Sequence, residues 1–338
     1  MKRNAPTLED VAKHAGVSIA TASRAMNSDN AVRNATAVRV REAAAELNYQ
    51  PNMAGRMLSG GPSNTVCLVV PSLSHQALSR FYYASLIAGA EEAADQNNLH
   101  LLVKNKRDID GFFALLEQQK IGGVLLRVGH NHSLEQRLIR YMRKTGTPFV
   151  LIGSIADSKS DATIYIDITG GARELAHHFV EQGFKRILYI SGPKRNADSN
   201  DRYYGFRLGL TEKGFDERNL FHAPGDYTPE SGVLAAQEHL RQKKIDAVFA
   251  STDHTALGVL TYCASQGISV PHDVAVAGYD DQDYAAYTWP SLTTVRQPVF
   301  ELGQHAIEQL IRAMESTKRN RNNMVLTPKL IVRESTSR

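Results

Sequence analysis

The chain has 338 residues, 42% of them hydrophobic and 22% charged, and this ordinary globular composition excludes a fibrous or largely disordered protein. No apolar run approaches the ~20 residues of a membrane helix, and no signal-peptide apolar stretch follows Met1. We therefore expect a cytoplasmic protein with no membrane partner. The two cysteines, Cys67 and Cys263, are far apart in apolar runs, which argues against a disulfide framework or a zinc site.

The first 60 residues carry most of the excess positive charge. The net charge is only +4, but residues 1–60 hold eight Lys and Arg against five Asp and Glu. A compact basic segment is typical of a protein that binds a polyanion such as DNA. Many soluble N-termini are also mildly basic, so the charge alone does not identify a DNA-binding segment.

Three short helices are predicted in this basic segment. Thr7 caps the first helix, with Asp10 three residues later where an acid reaches back to the cap. Gly16 ends that helix, since a turn here favours a positive φ that a Cβ would resist. Ser18 caps a second helix, which runs to Asn27, and a third spans about 35–48. Two short helices joined by a tight glycine turn, with a third in support, indicate a helix-turn-helix.

The second helix is the predicted DNA-recognition helix, because the second helix of this motif enters the major groove. Arg24 can donate two parallel hydrogen bonds to guanine, whereas Ile19 and Ala20 can make only apolar contacts, as with a thymine methyl. Polar residues at the helix starts and along this helix suit phosphates, which position the head. These polar candidates are Thr7, Ser18, Thr21, Ser23 and Asn27. A structural three-helix bundle with a solvated polar face is the alternative.

The run 8–27 (LEDVAKHAGVSIATASRAMN) and the run 46–52 (ELNYQPN) carry a specific signature. Together they resemble the head of the lactose-repressor (LacI/GalR) family of bacterial regulators. The resemblance implies that Ile19, Ala20 and Arg24 are the specificity positions. It also implies a DNA-binding head over 1–50.

A hinge helix and linker are expected over 51–61, between Pro51 and the glycine pair that ends the run. The resemblance implies a helix that orders only on operator DNA, with Leu58 wedged into the minor groove. Gly55 stands where the family usually has alanine, and glycine costs a helix interior roughly 1 kcal/mol. A flexible linker with Leu58 packed on the core is the alternative.

From residue 65 the pattern becomes α/β. Short Val, Ile and Leu runs fit strands buried on both faces of a parallel sheet, and helical stretches lie between them. The second half repeats the first in kind, which predicts a two-lobed core of doubly wound parallel sheets. The predicted strands are 66–70, 99–103, 123–126, 149–152, 187–190, 247–250 and 274–277. The predicted helices are 84–97, 170–182, 229–242 and 255–266.

The family resemblance continues through this core, most clearly at 181–187, 276–281 and 290–298. It implies an effector-binding and dimerisation core over 62–338 that is similar to periplasmic sugar-binding proteins. It further implies three crossings between lobes, near 162, 291 and 326. Lobe 1 would then take about 62–162 and 292–325, and lobe 2 about 163–291 and 326–338.

Four residues are candidates for binding an effector in the cleft between the lobes. Asp280 follows a buried strand and can accept two hydrogen bonds, while Arg202 offers a planar fork of donors. Tyr227 can stack on a sugar or a base. Asp253 follows another strand, although it can equally cap the helix that comes next. For all four, an ordinary cap or a surface ion pair is the competing explanation.

Lobe 1 departs from the family where it borders the cleft. The segment 71–89 is about five residues longer than usual, and the stretch after Val103 is shorter. Ser74, Phe81 and Tyr82 are candidates for lining the pocket. Arg127, with Lys104, could favour an anionic effector such as a sugar acid or phosphate, although surface exposure explains both equally well.

No enzyme or metal motif competes with this interpretation. The sequence has no glycine-rich phosphate loop and no nucleophile elbow, and its histidine pairs lack ligands at metal spacing. We predict a DNA-binding transcriptional regulator, by family base rates a repressor, without cofactor or catalysis. It would bind a palindromic operator as a homodimer, under the control of a carbohydrate or related effector. Whether the effector weakens or strengthens DNA binding stays open. A periplasmic-type binding protein without a DNA role is the alternative.

Overall fold

The structure is a computed structural model that describes residues 6–26, 33–49, 63–74, 81–106, 109–118, 120–129, 132–153, 161–194, 196–316 and 322–337. The predicted hinge over 51–61, with Gly55 and Leu58, lies outside these residues, as does Asn27. The chain divides into two compact units, Met1–Ser63 and Asn64–Arg338.

The first unit contains three helices, α1 (Leu8–His14), α2 (Ile19–Met26) and α3 (Asn34–Glu46). Their small core is rich in alanine, which lets short helices approach closely. A hydrogen bond of 2.7 Å between His14 Nε2 and Glu46 Oε2 joins α1 to α3 at the surface. The buried core residues are Val11, Ala12, Ala15, Ala22, Ala25, Ala37, Val40, Ala43 and Ala44.

The helix cap and the glycine turn that were predicted for this unit are both present. The Thr7 backbone N–H donates to Asp10 Oδ2 at 2.8 Å, and Asp10 N–H donates back to Thr7 Oγ1 at 3.3 Å, which completes a capping box. Gly16 has a φ of +63° between α1 and α2, a backbone conformation that side chains with a Cβ resist. The helix-turn-helix is therefore built as predicted.

The second unit contains two lobes, each a parallel sheet with helices on both faces. Lobe 1 has the strand order β11-β5-β4-β3-β1-β2, and all adjacent strands in this sheet run parallel. Its strands are β1 (Thr65–Val70), β2 (His100–Asn105), β3 (Gly123–Arg127), β4 (Phe149–Ile152), β5 (Thr163–Ile166) and β11 (Asn323–Leu326). Its helices are α4 (Phe81–Gln96), α5 (Ile109–Glu117), α6 (His132–Thr145) and α11 (Val299–Glu315).

Lobe 2 is built in the same way, with the strand order β7-β6-β8-β9. Its parallel strands are β6 (Ile187–Ile190), β7 (Leu220–Ala223), β8 (Ala247–Ala250) and β9 (Ala275–Ala277). Its helices are α7 (Ile168–Glu181), α8 (Ala197–Glu212), α9 (Pro229–Lys243) and α10 (Asp253–Gln266). An antiparallel pair, β10 (Thr294–Arg296) and β12 (Lys329–Ile331), adjoins it.

Each sheet separates two apolar cores. In lobe 1, β1 contributes Leu68 to the core shared with α4 and α11, and its neighbour Val69 to the core shared with α5 and α6. In lobe 2, Leu188 and Tyr189 of β6 likewise face opposite cores. Alternating side chains buried on both faces explain the continuous apolar runs in these strands. The α/β fold with two doubly wound lobes is confirmed.

The strands place two of the lobe crossings a few residues later than the resemblance implied. β5 pairs with β4 through Ile164 and with β11 through Ile166, so the chain leaves lobe 1 after Ile166. Arg296 of β10 bridges to Asp280 of lobe 2, so the return to lobe 1 follows β10 rather than 291. The third crossing follows Leu326, the end of β11.

Candidate functional site

The predicted recognition helix α2 has one inner and one outer face. Ala22 and Ala25 are buried against the other helices. Ile19, at 50% exposure, lies on the outer face with exposed Ala20 and Arg24. Residues three positions apart lie on the same side of a helix, so the buried alanines form an inner face and the opposite face is left to solvent. The three specificity candidates therefore share one exposed surface.

The polar candidates of the head are already partly engaged in helix caps. Thr21 N–H donates to Ser18 Oγ at 3.1 Å, and the two hydroxyl oxygens lie 2.8 Å apart. Thr7 belongs to the capping box of α1, and Ser23 is half-buried on α2. Arg24 Nε donates to the Ala20 carbonyl at 3.2 Å, which leaves the outer part of its guanidinium free to reach beyond the helix.

A cavity of about 250 Å³ opens between the two lobes of the core. We name it the front chamber. Three of the four predicted effector residues line it, Arg202, Tyr227 and Asp280, whereas Asp253 does not. Its full lining is Pro71, Ser72, Phe81, Tyr82, Tyr83, Pro193, Asn196, Asp198, Arg202, Tyr227, Thr252, His254, Asp280 and Gln282.

Arg202, from α8, is 5% exposed and held on several sides. One terminal nitrogen donates to Asp280 Oδ1 at 3.3 Å, and the other donates to the Ser251 carbonyl. The guanidinium carbon lies 4.2 Å from the ring centre of Tyr279, a favourable cation–π distance. Because these contacts fix its plane, Arg202 presents a preorganised surface to the chamber.

Asp280 sits where the chain leaves β9 and takes a φ of +122°. Its Oδ1 accepts a second hydrogen bond, from Gln297 Nε2 at 2.7 Å. Gln297 lies just after β10, on the segment that crosses to lobe 1, and only 3% of it is exposed. Local sequence gives no signal for Gln297, because only folding brings it to its partner Asp280.

Tyr227 closes the chamber on the lobe 2 side. Its backbone φ is +71°, and its hydroxyl donates to Asn196 Oδ1 at 3.3 Å. Burial raises the pKa of this hydroxyl to about 12, although Arg202 lowers it in part. The phenol therefore stays protonated near neutral pH, as a hydrogen-bond donor with an apolar ring face.

Asp253 lies beneath the chamber, as the first residue of α10, with no exposed surface. It accepts hydrogen bonds from Gln282 N–H at 2.8 Å and from Thr294 Oγ1 at 2.6 Å. Burial first, and then the carboxylate of Asp280, hold its pKa above the usual value. Its contacts fix the segments after β9 and around β10, while its chain neighbours Thr252 and His254 line the chamber.

The lobe 1 wall is aromatic. Phe81 and Tyr82 line the front chamber as predicted, whereas Ser74 is exposed and does not line it. Tyr83 joins them, and its ring meets that of Tyr82 edge-on with centroids 5.3 Å apart. The first turn of α4 therefore presents apolar ring surface to the cleft.

The two cations considered for an anionic effector do not lie free in the cleft. Arg127 is 2% exposed, so surface exposure does not explain it. One of its terminal nitrogens donates to Asp198 Oδ2 at 2.6 Å, and the other donates to the carbonyls of Val128 and Ile152. Lys104 is half-buried in β2 and does not line the chamber. The charge of Arg127 is therefore already paired with a carboxylate from lobe 2.

A second cavity of about 190 Å³, the rear chamber, shares Tyr82 and Asp198 with the front one. Arg127 lines the rear chamber. The remaining lining is Gly153, Tyr165, Ile166, Asp167, Ile168, Thr169, Asp201, Gln297 and Leu302.

Across the part of the chain that the structure describes, no three His, Cys, Asp or Glu side chains cluster as metal ligands. Nor is any helix there long and apolar enough to cross a bilayer.

The two units match two different family models. Residues 7–52 match the model of bacterial regulatory proteins of the lacI family. Residues 176–336 match a periplasmic binding protein-like domain. The first range covers the three-helix head, and the second covers most of lobe 2 and the later part of lobe 1.

Whole proteins of the same organisation are similar to this chain from end to end. The transcriptional regulator CelR of Thermobifida fusca is 33% identical over 99% of both chains. The repressor CytR of Escherichia coli (strain K12) is 30% identical over 99% of this chain and 97% of its own. A CelR–cellobiose complex, 32% identical, superposes with a TM-score of 0.70 over 98% of this chain and 99% of the other.

The lac repressor dimer bound to operator and an anti-inducer superposes with a TM-score of 0.80, over 98% of this chain and 99% of the other, at 26% identity. With a recognition helix in one unit and a two-lobed core in the other, this chain belongs to the lacI family of bacterial transcriptional regulators.

Proposed function

We propose that this chain is a repressor that binds a palindromic operator as a homodimer, and that a sugar or sugar derivative in the front chamber controls its affinity for DNA. The observation that carries the proposal is the paired Arg202 and Asp280 facing a cavity between two lobes. The proposal assigns binding and no reaction to this chamber, and it places the protein in the cytoplasm with the DNA.

The DNA side of the proposal is supported by the outer face of α2. Ile19, Ala20 and Arg24 are exposed together. An arginine and two small apolar side chains suit guanine and thymine edges in the major groove. The polar candidates Ser18, Thr21 and Ser23 would anchor phosphates. The lac repressor, which superposes on this chain, is bound to its operator as a dimer.

The effector side is supported by the donors and acceptors of the front chamber. Asp280 can accept hydrogen bonds from vicinal hydroxyls, and Arg202 can donate to ring or hydroxyl oxygens. Tyr227 and the aromatic lobe 1 wall offer apolar faces for the flat side of a sugar ring. CelR, which resembles this chain along its length, forms a complex with cellobiose.

Coupling between the two functions follows from the position of the chamber. A ligand that touches both lobes binds one relative arrangement of the lobes better than another. The difference in affinity between the two arrangements is the free energy available to change DNA binding. The proposed link is the segment 51–61, which lies outside the described residues.

A dimer is supported by apolar side chains on the surface of lobe 2. Tyr287 is 87% exposed and Trp289 is 90% exposed, and both lie between β9 and β10. Large aromatic side chains this exposed are typical of surfaces that a partner covers. A palindromic operator also requires two heads related by a twofold axis.

The test combines DNA selection with a ligand screen. The purified full-length chain selects binding sequences from a random duplex library, and enrichment of an inverted repeat is expected. Neutral sugars, including cellobiose, are then tested for thermal stabilisation and for a change in affinity for the selected DNA. A sugar that stabilises the chain but leaves DNA binding unchanged would contradict effector control. Sugar binding without any enriched DNA sequence would support the alternative, a binding protein of the periplasmic type.

A further inference from the structure

An ion pair joins the two lobes across the cleft. Arg127 ends β3 in lobe 1, and Asp198 lies in the first turn of α8 in lobe 2. Their nitrogen and oxygen atoms are 2.6 Å apart, with side-chain exposures of 3% and 20%. The guanidinium also lies 5.3 Å from the ring centre of Tyr82. The pair thus stands at the boundary between the front and rear chambers.

We propose that Asp198 is a selectivity residue that restricts the cleft to uncharged effectors. It does so by placing a carboxylate from lobe 2 on Arg127 of lobe 1, at the position where an anionic effector group would otherwise bind. The inference rests on the proposed function, since it concerns the effector of the same cleft. It adds the charge class of the effector and the residue that sets this class.

The hydrogen bonds of Arg127 show which of its N–H donors the carboxylate of Asp198 occupies. One terminal nitrogen is committed to backbone carbonyls of Val128 and Ile152, so it holds the guanidinium in place. The other terminal nitrogen donates to Asp198. Nε is buried and has no hydrogen-bond partner. Without Asp198, Nε and the adjacent terminal nitrogen would form a fork that suits a carboxylate, sulfate or phosphate.

The charges around the front chamber also disfavour an anion. Two carboxylates, Asp198 and Asp280, line it beside one guanidinium, Arg202. Arg202 is itself paired with Asp280. An incoming carboxylate or phosphate would face both acids and would find each arginine already engaged. Asp201, which lines the rear chamber one turn along α8, adds a further negative charge.

A neutral polyhydroxyl ligand meets no such obstacle. Its hydroxyl groups can donate to the carboxylate oxygens of Asp198 and Asp280 and accept from Arg202. Neither ion pair has to break, so no buried charge loses its partner. Hydroxyls therefore bind by adding to the existing network, whereas an anion has to displace a part of it.

The first experiment needs no knowledge of the natural effector. Thermal unfolding of the full-length chain is measured against sodium sulfate, with sodium chloride at matched ionic strength as the reference. The variants are Asp198→Asn, Asp198→Ser and the double variant Arg127→Met/Asp198→Asn. Glu238→Gln removes a charge from the exposed side of α9 and is the matched control.

Asp198→Asn and Asp198→Ser are expected to bind sulfate about tenfold more tightly than the wild type, as a saturable rise in melting temperature. The double variant and Glu238→Gln should behave like the wild type. No sulfate response in either single variant overturns the inference, and so does an equal response in the wild type. Variants that stay unfolded at every sulfate concentration count against it too, because the freed arginine should recruit the anion.

The second experiment compares D-glucose with D-glucuronate, and cellobiose with cellobionate, on the same chains. The wild type should prefer the neutral member of each pair, and Asp198→Asn should lose or reverse that preference. A wild type that prefers the acids overturns the inference. If no sugar binds, the proposed effector control fails, while the sulfate measurement still decides the role of Asp198. If neutral sugars control DNA binding but Asp198→Asn binds anions no better than the wild type, the proposed function is supported and the role assigned to Asp198 is refuted.

Discussion

The ring of Tyr227 lies directly on the backbone of Gly192. A Cβ at Gly192 would be 2.1 Å from Cε1 of Tyr227, far inside van der Waals contact. The two residues come from the loops after β7 and β6, neighbouring parallel strands whose carboxyl ends meet at the cleft. The missing side chain at one position thus makes room for the aromatic wall at the other.

Gly192→Ala is expected to push the Tyr227 ring out of its position and to weaken effector binding at least about tenfold. Tyr227→Phe is the matched variant, since it keeps the ring, removes only the hydroxyl and should cost about 1 kcal/mol or less. Both are measured by titrating the sugar that stabilises the wild type. An alanine variant with wild-type affinity would show that the ring takes no part in the site.

Arg202→Met should remove most of the effector binding and also destabilise the fold. The substitution takes the guanidinium away from Asp280, which keeps its hydrogen bond from Gln297 Nε2. Breaking a buried ion pair in this way costs about 3 kcal/mol. Arg173→Met, at an exposed and longer salt bridge of 3.7 Å, should cost far less. Urea unfolding of both variants measures the difference, and equal losses would contradict the assigned role.

Arg24→Ala should relax operator specificity at one base pair in each half-site. A bidentate arginine–guanine contact is worth about 1–3 kcal/mol of discrimination. Arg39→Ala, on the exposed side of α3, is the control for a loss of positive charge in the head. DNA selection with each variant reads out the change. If Arg24→Ala weakens binding equally for all sequences, Arg24 contacts phosphate and reads no base.

Leu58→Ala is expected to weaken operator binding and to leave effector affinity unchanged. The prediction comes from the family resemblance, which implies that this leucine wedges into the minor groove. Operator affinity from a gel shift and effector affinity from calorimetry are measured on the same preparation. A loss of both would refute this division of labour.

The stability of the core should depend on pH through Asp253. Burial, followed by the carboxylate of Asp280, raises the pKa of Asp253 in the folded chain above its unfolded value of 3.8. The protonated form is thus favoured by folding, so its contribution is complete below the unfolded pKa and is lost as pH rises through the folded pKa.

Asp253→Asn removes this titration while keeping an oxygen that can accept a hydrogen bond. Between about pH 5 and about pH 8, the wild type should lose about 1 kcal/mol or more of unfolding free energy relative to this variant. Denaturant unfolding at both pH values measures it. Asp283→Asn, at an exposed position, is the control. Parallel behaviour of wild type and Asp253→Asn would show that Asp253 does not titrate in this range.

Sequence periodicity located most of the architecture. The capping pattern of Thr7 and Asp10, the glycine at position 16 and the apolar runs of β1 and β6 are local signals, and each element formed where it was predicted. The short strands β5, β7, β10, β11 and β12 were missed, because their pairing depends on segments elsewhere in the chain.

The binding chemistry of the cleft was likewise only partly predictable from the sequence. Residue type, the family resemblance and, for Asp280, a place after a buried strand together singled out Arg202, Tyr227 and Asp280. The carboxyl ends of parallel strands converge on one edge of a sheet. Whether a charge is available to a ligand was decided only by tertiary structure. Arg127 and Asp198 are 71 residues apart in the chain, and folding alone brings them together across two lobes. Local sequence determines which groups are present, whereas the contacts between distant segments determine which of those groups are already paired.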